Sequence, residues 1–218
     1  MRHIVSLSGG KDSTAMLLRM IELNMPIDKI VFCDTGLEFP EMYDYLKKLE
    51  KYIGRKITYI KGKNSWHDWF YGRFTRGKFK GRVRGFPYTT QPCWALRELK
   101  LSPWQQNGYD KDYIYLGIAA DEDRKLRKQS NYKYPLRDWN WSEKDCLNYL
   151  KEKNILNPLY KKFKRLGCWC CPKQPHSALK IIYEDYPELW KKLKIMEKDS
   201  PHGFKIRRTL KELEEKWK

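Results

Sequence analysis

Apolar and polar positions follow a repeated order along the first half of the chain. Short apolar runs lie at residues 4–7, 29–32, 57–60 and 113–118. Segments with helical periodicity follow the first two runs, at residues 15–21 and 40–52. Short apolar runs bounded by turn residues are typical of strands, and apolar residues repeated every three or four positions are typical of helices. Their alternation predicts an α/β fold with a doubly wound, mostly parallel sheet and helices on both faces.

The C-terminal part of the chain has a helical, highly charged pattern. An apolar stripe at helical spacing is interrupted at Pro187. Its members are Leu179, Ile182, Leu189, Leu193 and Met196. Such a stripe is typical of helix packing. We therefore expect an α/β domain at residues 1–172 and a basic helical C-terminal extension at residues 173–218.

A glycine-rich loop, SGGKDS at residues 8–13, joins the first predicted strand to the first predicted helix. Paired glycines permit close approaches of the backbone, so that amide N–H groups at a helix N-terminus can converge on an anion. The loop is no Walker A motif, because Val5 stands where that motif needs glycine and Asp12 where it needs Ser or Thr. It nevertheless predicts phosphate binding.

The ends of the predicted strands locate a ligand site. In a doubly wound sheet, ligands lie beyond the carboxyl ends of the strands. The loops at Ser8, Asp34 and Gly117 should therefore meet in one crevice. The candidate nucleotide-binding residues are Ser6, Ser8, Gly9, Gly10, Lys11, Asp12, Ser13, Asp34, Thr35, Gly36 and Gly117.

The net charge of +18, from 45 Lys and Arg against 27 Asp and Glu, predicts attraction to polyanions. Nucleic acid is the first expectation, and nucleotide phosphates the second. A lysine-rich surface that only maintains solubility is the alternative. No apolar stretch approaches the ~20 residues of a membrane span, and the chain begins without a signal-peptide pattern, so we expect a cytoplasmic protein without a membrane partner.

Residues 72–90, GRFTRGKFKGRVRGFPYTT, contain no acidic side chain. Glycines and phenylalanines are interleaved with six basic residues, namely Arg73, Arg76, Lys78, Lys80, Arg82 and Arg84. Basic and aromatic side chains in this arrangement can neutralise phosphates and stack on unpaired bases, as in single-strand-binding proteins. A substrate lid and a solvated loop are the alternatives.

Four motifs together resemble a known family. The SGGKDS loop resembles the PP-loop of the adenine nucleotide alpha hydrolase superfamily. DTGLEFPE at residues 34–41 is similar to the motif after the second strand in the phosphoadenosine phosphosulfate (PAPS) reductase family. GIAADEDRKLR at residues 117–127 resembles a later loop of that family, although Ala119 and Asp123 depart from its pattern. Residues 135–171 resemble its closing segment, with PL, DW, NPLY and then glycine and cysteines.

The resemblance implies binding of ATP or PAPS with Mg²⁺ and chemistry at the alpha-phosphate. The candidate catalytic residues are Lys11, Asp12, Asp34, Glu122 and Arg124. Lys11 would contact phosphate, and Asp12 would hold Mg²⁺ or orient the loop. Asp34 either faces the nucleotide or caps a strand end. Glu122 and Arg124 either pair with each other or grip phosphate or sulfate.

Three of the six cysteines lie within residues 168–171, which indicates metal or redox chemistry rather than a disulfide framework. In branches of the family with an iron–sulfur cluster, a mid-chain cysteine pair precedes a CxxC motif. The resemblance therefore implies a 4Fe-4S cluster on Cys93, Cys168 and Cys171, with Cys170 as fourth ligand or one iron left open. Zn²⁺ with His176 is the alternative. Cys33 and Cys146 are expected to be core thiols.

The cysteines also bear on the reaction expected. Assimilatory reductases of the family use a later cysteine in a Glu-Cys-Gly-His motif, and no cysteine follows Cys171 in this sequence. We therefore expect an ATP pyrophosphatase or adenylating sulfurtransferase that acts on nucleic acid, DNA or tRNA, like the DNA phosphorothioation ATP pyrophosphatase and the tRNA thiolases. A protein or sulfide would donate sulfur, and a homodimer is possible. A sulfonucleotide reductase and a nucleic-acid-binding regulator that retains the PP-loop fold are the alternatives.

Overall fold

The computed structural model describes residues 1–123, 126–127 and 129–217. The chain forms two compact units, each built from segments that are distant in sequence. The sheet unit comprises Met1–Asp34, Phe39–Lys61 and Leu101–Leu166. The helical unit comprises Thr35–Glu38, Gly62–Lys100 and Gly167–Lys218.

A five-stranded, wholly parallel sheet forms the centre of the sheet unit. Its strands are β1 His3–Leu7, β2 Lys29–Cys33, β3 Ile57–Ile60, β4 Tyr113–Leu116 and β5 Tyr132–Lys133. Their order across the sheet is β3-β2-β1-β4-β5. The expected α/β class with a parallel sheet is confirmed. The four strands predicted from apolar runs are present, whereas β5 was not predicted, because its two residues carry no apolar run.

Helices lie between the strands along the chain and continue after the last strand. They are α1 Lys11–Glu22, α2 Pro40–Ile53, α3 Trp66–Tyr71, α4 Trp94–Leu96, α5 Ser102–Gln106, α6 Pro135–Asp138, α7 Glu143–Glu152, α8 His176–Asp185, α9 Pro187–Asp199 and α10 Leu210–Trp217. A π-helical turn spans Arg97–Leu101, and 3-10 turns span Tyr109–Lys111 and Pro158–Lys161.

The strand order places a topological switch point beside β1. The chain passes from β1 to β2 on one side, and it later returns to pair β4 with the other side of β1. In open parallel sheets, ligands bind beyond the carboxyl ends of the strands at such a point. The loops that follow β1 and β4 therefore border the position where this fold class holds a ligand.

Helices α1 and α7 pack together in the sheet unit. The residues of α1 at Ala15–Leu18 are buried because its apolar side chains face the sheet and α7. Helix α7 begins with a capping box formed by Ser142 and Asp145. The Ser142 hydroxyl accepts from the Asp145 amide at 3.1 Å, and the Asp145 carboxylate accepts from the Ser142 amide at 2.8 Å. The start of α7 is therefore well fixed.

The helical unit has an aromatic core. Phe86 makes edge-to-face contacts with Phe70 and Phe204, each with 4.9 Å between ring centroids. The predicted C-terminal helices are confirmed, and Pro187 begins a new helix, α9, as its position in the stripe indicates. The division at residues 172 and 173 stays a prediction, and the C-terminal segment clusters with residues 62–100. Within the described ranges, no helix is long and apolar enough to cross a membrane.

Candidate functional site

The SGGKDS loop lies directly after β1 and leads into α1. Gly9 adopts a left-handed φ of +72°, and a Cβ atom there would lie 2.3 Å from the Met42 sulfur. Gly10 has an extended conformation and precedes the first residue of α1. Residue 9 therefore needs glycine for its conformation and for its close packing against α2.

Two serines hold this loop in its shape. The Ser8 amide donates to the Ser13 hydroxyl at 3.1 Å, and the two hydroxyl oxygens lie 2.9 Å apart. The Ser13 hydroxyl also donates to the Gly10 carbonyl at 3.2 Å. The first residues of the loop are therefore tied to the first turn of α1. Ser8 and Ser13 organise the loop, whereas the third predicted serine, Ser6, lies half-buried within β1.

The NPLY segment supports the loop from a distant part of the chain. Asn157 is almost wholly buried, and its side-chain amide donates to the Gly9 carbonyl at 2.9 Å while its oxygen accepts from the Leu159 amide at 3.0 Å. The Tyr160 hydroxyl accepts from the Lys11 amide at 2.8 Å. The sequence prediction missed both residues as site residues, although the NPLY motif that contains them is visible in the sequence.

Gly117 follows β4 and packs against the first turn of α1. A Cβ atom at Gly117 would lie 2.6 Å from the Ser13 Cα and 2.7 Å from the Ser13 nitrogen. Both are backbone atoms, so a side chain here could be accommodated only by moving the chain. The structure therefore brings Gly117 and the SGGKDS loop together, as the parallel-sheet argument predicts.

Lys11 is the cation of the loop, and its side chain is only 10% exposed. Its ammonium lies 2.5 Å from a Glu143 oxygen and 3.0 Å from Asp12. Burial lowers the pKa of Lys11, but the bond to Glu143 and the charge of Asp12 outweigh burial and raise it above its ordinary value. Lys11 is therefore a protonated ammonium at neutral pH.

Asp12 lies in a crowded acidic environment. Burial raises the pKa of its carboxyl group above the ordinary value, although Lys11 acts in the opposite direction. The charges of Glu143 and Glu122 raise this pKa further. Glu143 and Asp12 therefore contact the Lys11 ammonium group, and Glu122 acts electrostatically on Asp12. Glu143 was not among the residues predicted from the sequence.

Asp34, at the end of β2, is buried and bound by two partners. The Tyr43 hydroxyl donates to it at 2.8 Å, and the Lys61 ammonium lies 3.2 Å from its other oxygen. The next two predicted residues shape the turn that follows. The Thr35 hydroxyl donates to Glu38 at 3.2 Å, and Gly36 has a left-handed φ of +71°. These contacts give Asp34 a structural role, and nucleotide contact stays a prediction for all three residues.

Glu122 lies in the loop after β4, and its charge contributes to raising the pKa of Asp12. Its carboxylate lies 3.4 Å from Arg165, and its carbonyl accepts from the Arg137 guanidinium at 2.5 Å. Arg124, its predicted partner, lies outside the described residues. The pairing of Glu122 with Arg124 therefore stays a prediction.

Cys93, Cys168, Cys170 and Cys171 all lie in the helical unit. The Cys171 amide donates to the Cys168 carbonyl at 3.1 Å, which closes the CxxC segment into a turn. Burial, with smaller contributions from Glu38 and from the thiols of Cys171 and Cys93, raises the pKa of the Cys168 thiol to about 12. Burial also raises the pKa of Cys171, with a contribution from Cys93. The thiols at positions 93, 168 and 171 are therefore close enough to influence one another electrostatically.

Basic side chains lie around these thiols. Lys100 lowers the pKa of Cys168, while Lys173 and Lys205 lower that of Cys171. In the part of the chain that the structure describes, no three His, Cys, Asp or Glu side chains are placed so that they could hold a metal ion. The predicted metal ligands thus influence one another electrostatically, but the described residues do not form a metal site.

The remaining two cysteines lie in the sheet unit and behave as core residues. The Cys33 sulfur accepts a hydrogen bond from the Trp104 indole at 2.9 Å. Cys146 is fully buried in α7, and burial raises the pKa of its thiol to about 12. Thiols with these partners and this burial are typical of packing rather than metal binding.

The basic segment forms a short hairpin at residues 73–83, in which Arg73 and Val83 are paired by an antiparallel bridge. The exposed basic residues are Arg73, Arg76, Lys78, Lys80 and Arg82. Arg84 differs, because its guanidinium lies 4.9 Å from the Trp69 ring centre and 5.0 Å from that of Phe74. Burial lowers the pKa of Arg84. Arg84 is therefore half-buried among aromatic rings, whereas the other five basic residues are exposed, with Arg73 donating to the Gly81 carbonyl and Arg82 lying 6.0 Å from the Phe79 ring centre.

The sequence model of the phosphoadenosine phosphosulfate reductase domain matches residues 2–174. Two uncharacterized proteins of Methanocaldococcus jannaschii are each 31% identical to this chain. Their alignments extend over 208 and 204 residues and cover 87% and 86% of this chain. The chain spans only 40% and 45% of the length of these two relatives.

A phosphoadenosine 5′-phosphosulfate reductase of Alteromonas mediterranea is 26% identical over 182 residues, which cover 77% of this chain and 68% of that protein. Among solved structures, the phosphate complex of the PAPS reductase from Candida auris superposes with a TM-score of 0.54 at 20% identity. This superposition covers 78% of this chain and 82% of the Candida chain, and it shows a shared fold. With the parallel sheet, the PP-loop and a family match over most of its length, the chain belongs to the phosphoadenosine phosphosulfate reductase domain family.

Proposed function

We propose that the chain binds ATP or an adenylylated nucleotide at the PP-loop and catalyses chemistry at the alpha-phosphate. The observation that carries this proposal is the intact SGGKDS loop at the carboxyl end of β1, beside the switch point of the sheet. The family includes PAPS reductases, which are nucleotide-binding enzymes of sulfur chemistry. The reaction that the whole protein catalyses is likewise proposed.

The loop has the parts that phosphate recognition needs. Gly9 and Gly10 place no side chain on the loop, and the dipole at the N-terminus of α1 favours an anion. The amides of Gly10 and Lys11 donate to the hydroxyls of Ser8 and Tyr160, so a phosphate would replace these partners. Lys11 adds a protonated ammonium that can form charge-assisted bonds to phosphate oxygens. Asp12 would hold the loop or contact Mg²⁺.

In the proposed reaction, an oxygen of the acceptor attacks the alpha-phosphorus of ATP. The bond between the alpha-phosphorus and the bridging oxygen breaks, and pyrophosphate leaves with the bonding electron pair. The acceptor is then adenylated, and a sulfur nucleophile displaces AMP from it. Lys11 would stabilise negative charge on the phosphates during the first step.

We infer that Cys93, Cys168 and Cys171 hold an iron–sulfur cluster, as the family resemblance implies, with a zinc ion as the alternative. The electrostatic influence of these three thiols on one another supports a shared site. A bound cluster would supply sulfur-transfer or redox chemistry, with Cys170 as a further thiol in the same segment.

The exposed hairpin supports a nucleic acid as acceptor. Its five solvent-facing basic side chains and the 42%-exposed ring of Phe79 combine phosphate neutralisation with a surface for base stacking. The net charge of +18 adds long-range attraction to any polyanion. We propose single-stranded DNA or an unpaired region of tRNA as the acceptor class.

Product analysis tests the proposed reaction. Alpha-labelled ATP, Mg²⁺, sulfide and single-stranded RNA or DNA are incubated with anaerobically purified protein, and the nucleotides are separated by chromatography. We expect AMP and pyrophosphate, which Lys11→Ala abolishes and Lys48→Ala, at an exposed position on α2, leaves unchanged. Formation of ADP and phosphate would contradict the proposal.

The similarity to the Alteromonas PAPS reductase favours a sulfonucleotide reductase as the second candidate. This enzyme would reduce PAPS with a dithiol to sulfite and adenosine 3′,5′-bisphosphate. If the protein releases sulfite from PAPS and binds PAPS more tightly than ATP, the reductase becomes the favoured function in place of the sulfurtransferase.

A further inference from the structure

The ammonium group of Lys11 already has anionic partners. Glu143 approaches its nitrogen to 2.5 Å, and both oxygens of Asp12 lie 3.0 Å away. A carboxylate accepts from an ammonium group in the same way as a phosphate oxygen does. The Lys11 donors that a nucleotide phosphate would use are therefore engaged by carboxylates of the protein.

The two partners of this ion pair differ in their freedom to move. The Lys11 side chain is 10% exposed, whereas that of Glu143 is 37% exposed. Glu143 is the first residue of α7, and its amide donates to the Asp121 carboxylate at 2.9 Å. With the capping box beside it, the backbone at Glu143 is fixed while its carboxylate borders solvent. Glu143 can thus leave Lys11 without a change in the fold.

The charges around Lys11 oppose an incoming polyphosphate. Asp12, Glu143 and Glu122 form an acidic group in the electrostatic sense, because burial and the charges of Glu143 and Glu122 raise the pKa of Asp12. A nucleotide without metal brings several negative charges into this group. A Mg²⁺–nucleotide complex brings fewer, because the cation offsets part of the phosphate charge.

We propose that Glu143 is a specificity-determining counter-ion of the PP-loop, which occupies Lys11 until phosphate replaces it and thereby disfavours metal-free nucleotide. This inference rests on the proposed nucleotide binding at the loop. Glu143 would thus discriminate between metal-free nucleotide and the Mg²⁺–nucleotide complex. It need not contact the nucleotide in the bound state.

Isothermal titration with ATP in EDTA and in Mg²⁺ tests the assignment. Glu143→Gln keeps the shape of the side chain and removes its charge. We expect it to bind metal-free ATP about tenfold more tightly than the wild type, which corresponds to about 1.4 kcal/mol. The gain for Mg²⁺–ATP should be clearly smaller. Glu143→Ala should change affinity in the same direction, and Glu152→Gln, at the exposed far end of α7, should leave both affinities unchanged.

Several outcomes would overturn the assignment. Unchanged or weaker binding of metal-free ATP by both Glu143 variants, with unaltered melting curves, would show that Glu143 does not compete with phosphate. Weaker binding only in Mg²⁺ would make Glu143 a metal contact instead. Absence of ATP binding by the wild type in Mg²⁺ would refute the proposed function and this inference with it.

Discussion

Substituting Gly117 by alanine tests the close approach that joins the end of β4 to the PP-loop. The new Cβ atom would lie 2.6 Å from the Ser13 Cα, 2.7 Å from its nitrogen and 2.9 Å from the Asp12 carbonyl carbon. All three are backbone atoms, so no side-chain rotation relieves the overlap. Gly117 does not adopt a left-handed φ, and the expected effect is therefore steric rather than conformational.

The structure sets the size of this effect. Inserting a methyl group into well-packed surroundings typically costs about 1–3 kcal/mol. For a protein of this length, each kcal/mol lowers the melting temperature by about 2–4 °C, so we expect a decrease of about 2–12 °C. The backbone shift would also displace the first turn of α1, so affinity for ATP should fall together with stability.

Thermal melting followed by circular dichroism, with ATP titration of the same samples, measures both quantities. Gly167→Ala is the matched control, because a Cβ atom there meets no atom within 4 Å. The control should change stability by no more than about 0.5 kcal/mol. If Gly117→Ala melts and binds like Gly167→Ala, the close packing of the β4 loop on the PP-loop is wrong.

Three further sets of substitutions concern the support of the PP-loop, the cysteine site and the basic hairpin. Asn157→Ala removes the hydrogen-bond partner of the Gly9 carbonyl and the Leu159 amide, so the free energy of unfolding measured in urea should fall by about 1–3 kcal/mol. Asn148→Ala, at an exposed position, should not lower it in this way. Serine at position 93, 168 or 171 should remove iron and acid-labile sulfide from anaerobically purified protein, whereas Cys33→Ser should retain both; equal iron in all variants would exclude these thiols as ligands. Neutralising the four exposed residues of the hairpin tip should flatten the salt dependence of single-strand binding by up to about three units, at about 0.7 per phosphate contact. The four hairpin residues are Arg76, Lys78, Lys80 and Arg82, and the exposed control set is Lys191, Lys192, Lys198 and Lys211. The hairpin is not the binding surface if its neutralisation leaves the slope unchanged, or if neutralising the control set changes the slope equally.

Local sequence patterns predict much of this fold. The four longer strands were predictable because each is a short, mainly apolar run, and the start of α7 because Ser142 and Asp145 form a capping box at fixed spacing. The PP-loop was predictable because its glycines and its lysine lie within six consecutive residues. In each case, the physical cause acts between neighbours in the sequence.

The supports of the loop were not predictable in this way. Tyr160 contacts Lys11 across 149 positions, and Glu143 contacts it across 132. Such pairs form because the topology brings α7 and the NPLY segment to the start of α1, and no local pattern records this. A tyrosine or glutamate in isolation is equally suited to a surface position.

The basic segment shows the same limit. Its alternating composition predicts six equivalent basic side chains, yet Arg84 lies among aromatic rings that include Trp69 and Trp94. These tryptophans flank the segment on either side in the sequence. Which arginine they enclose depends on the turn of the hairpin, and composition alone does not fix that turn.

Equilibrium binding of ATP to the wild type and to Lys11→Ala, in Mg²⁺, is the decisive measurement of nucleotide binding at the PP-loop. A bond between a charged donor and phosphate contributes about 1.5–3 kcal/mol, so we expect Lys11→Ala to raise the Kd about tenfold or more. Lys48→Ala, at an exposed position on α2, should leave the Kd unchanged. Equal affinity of the wild type and Lys11→Ala, with both proteins folded, would contradict nucleotide binding at the PP-loop.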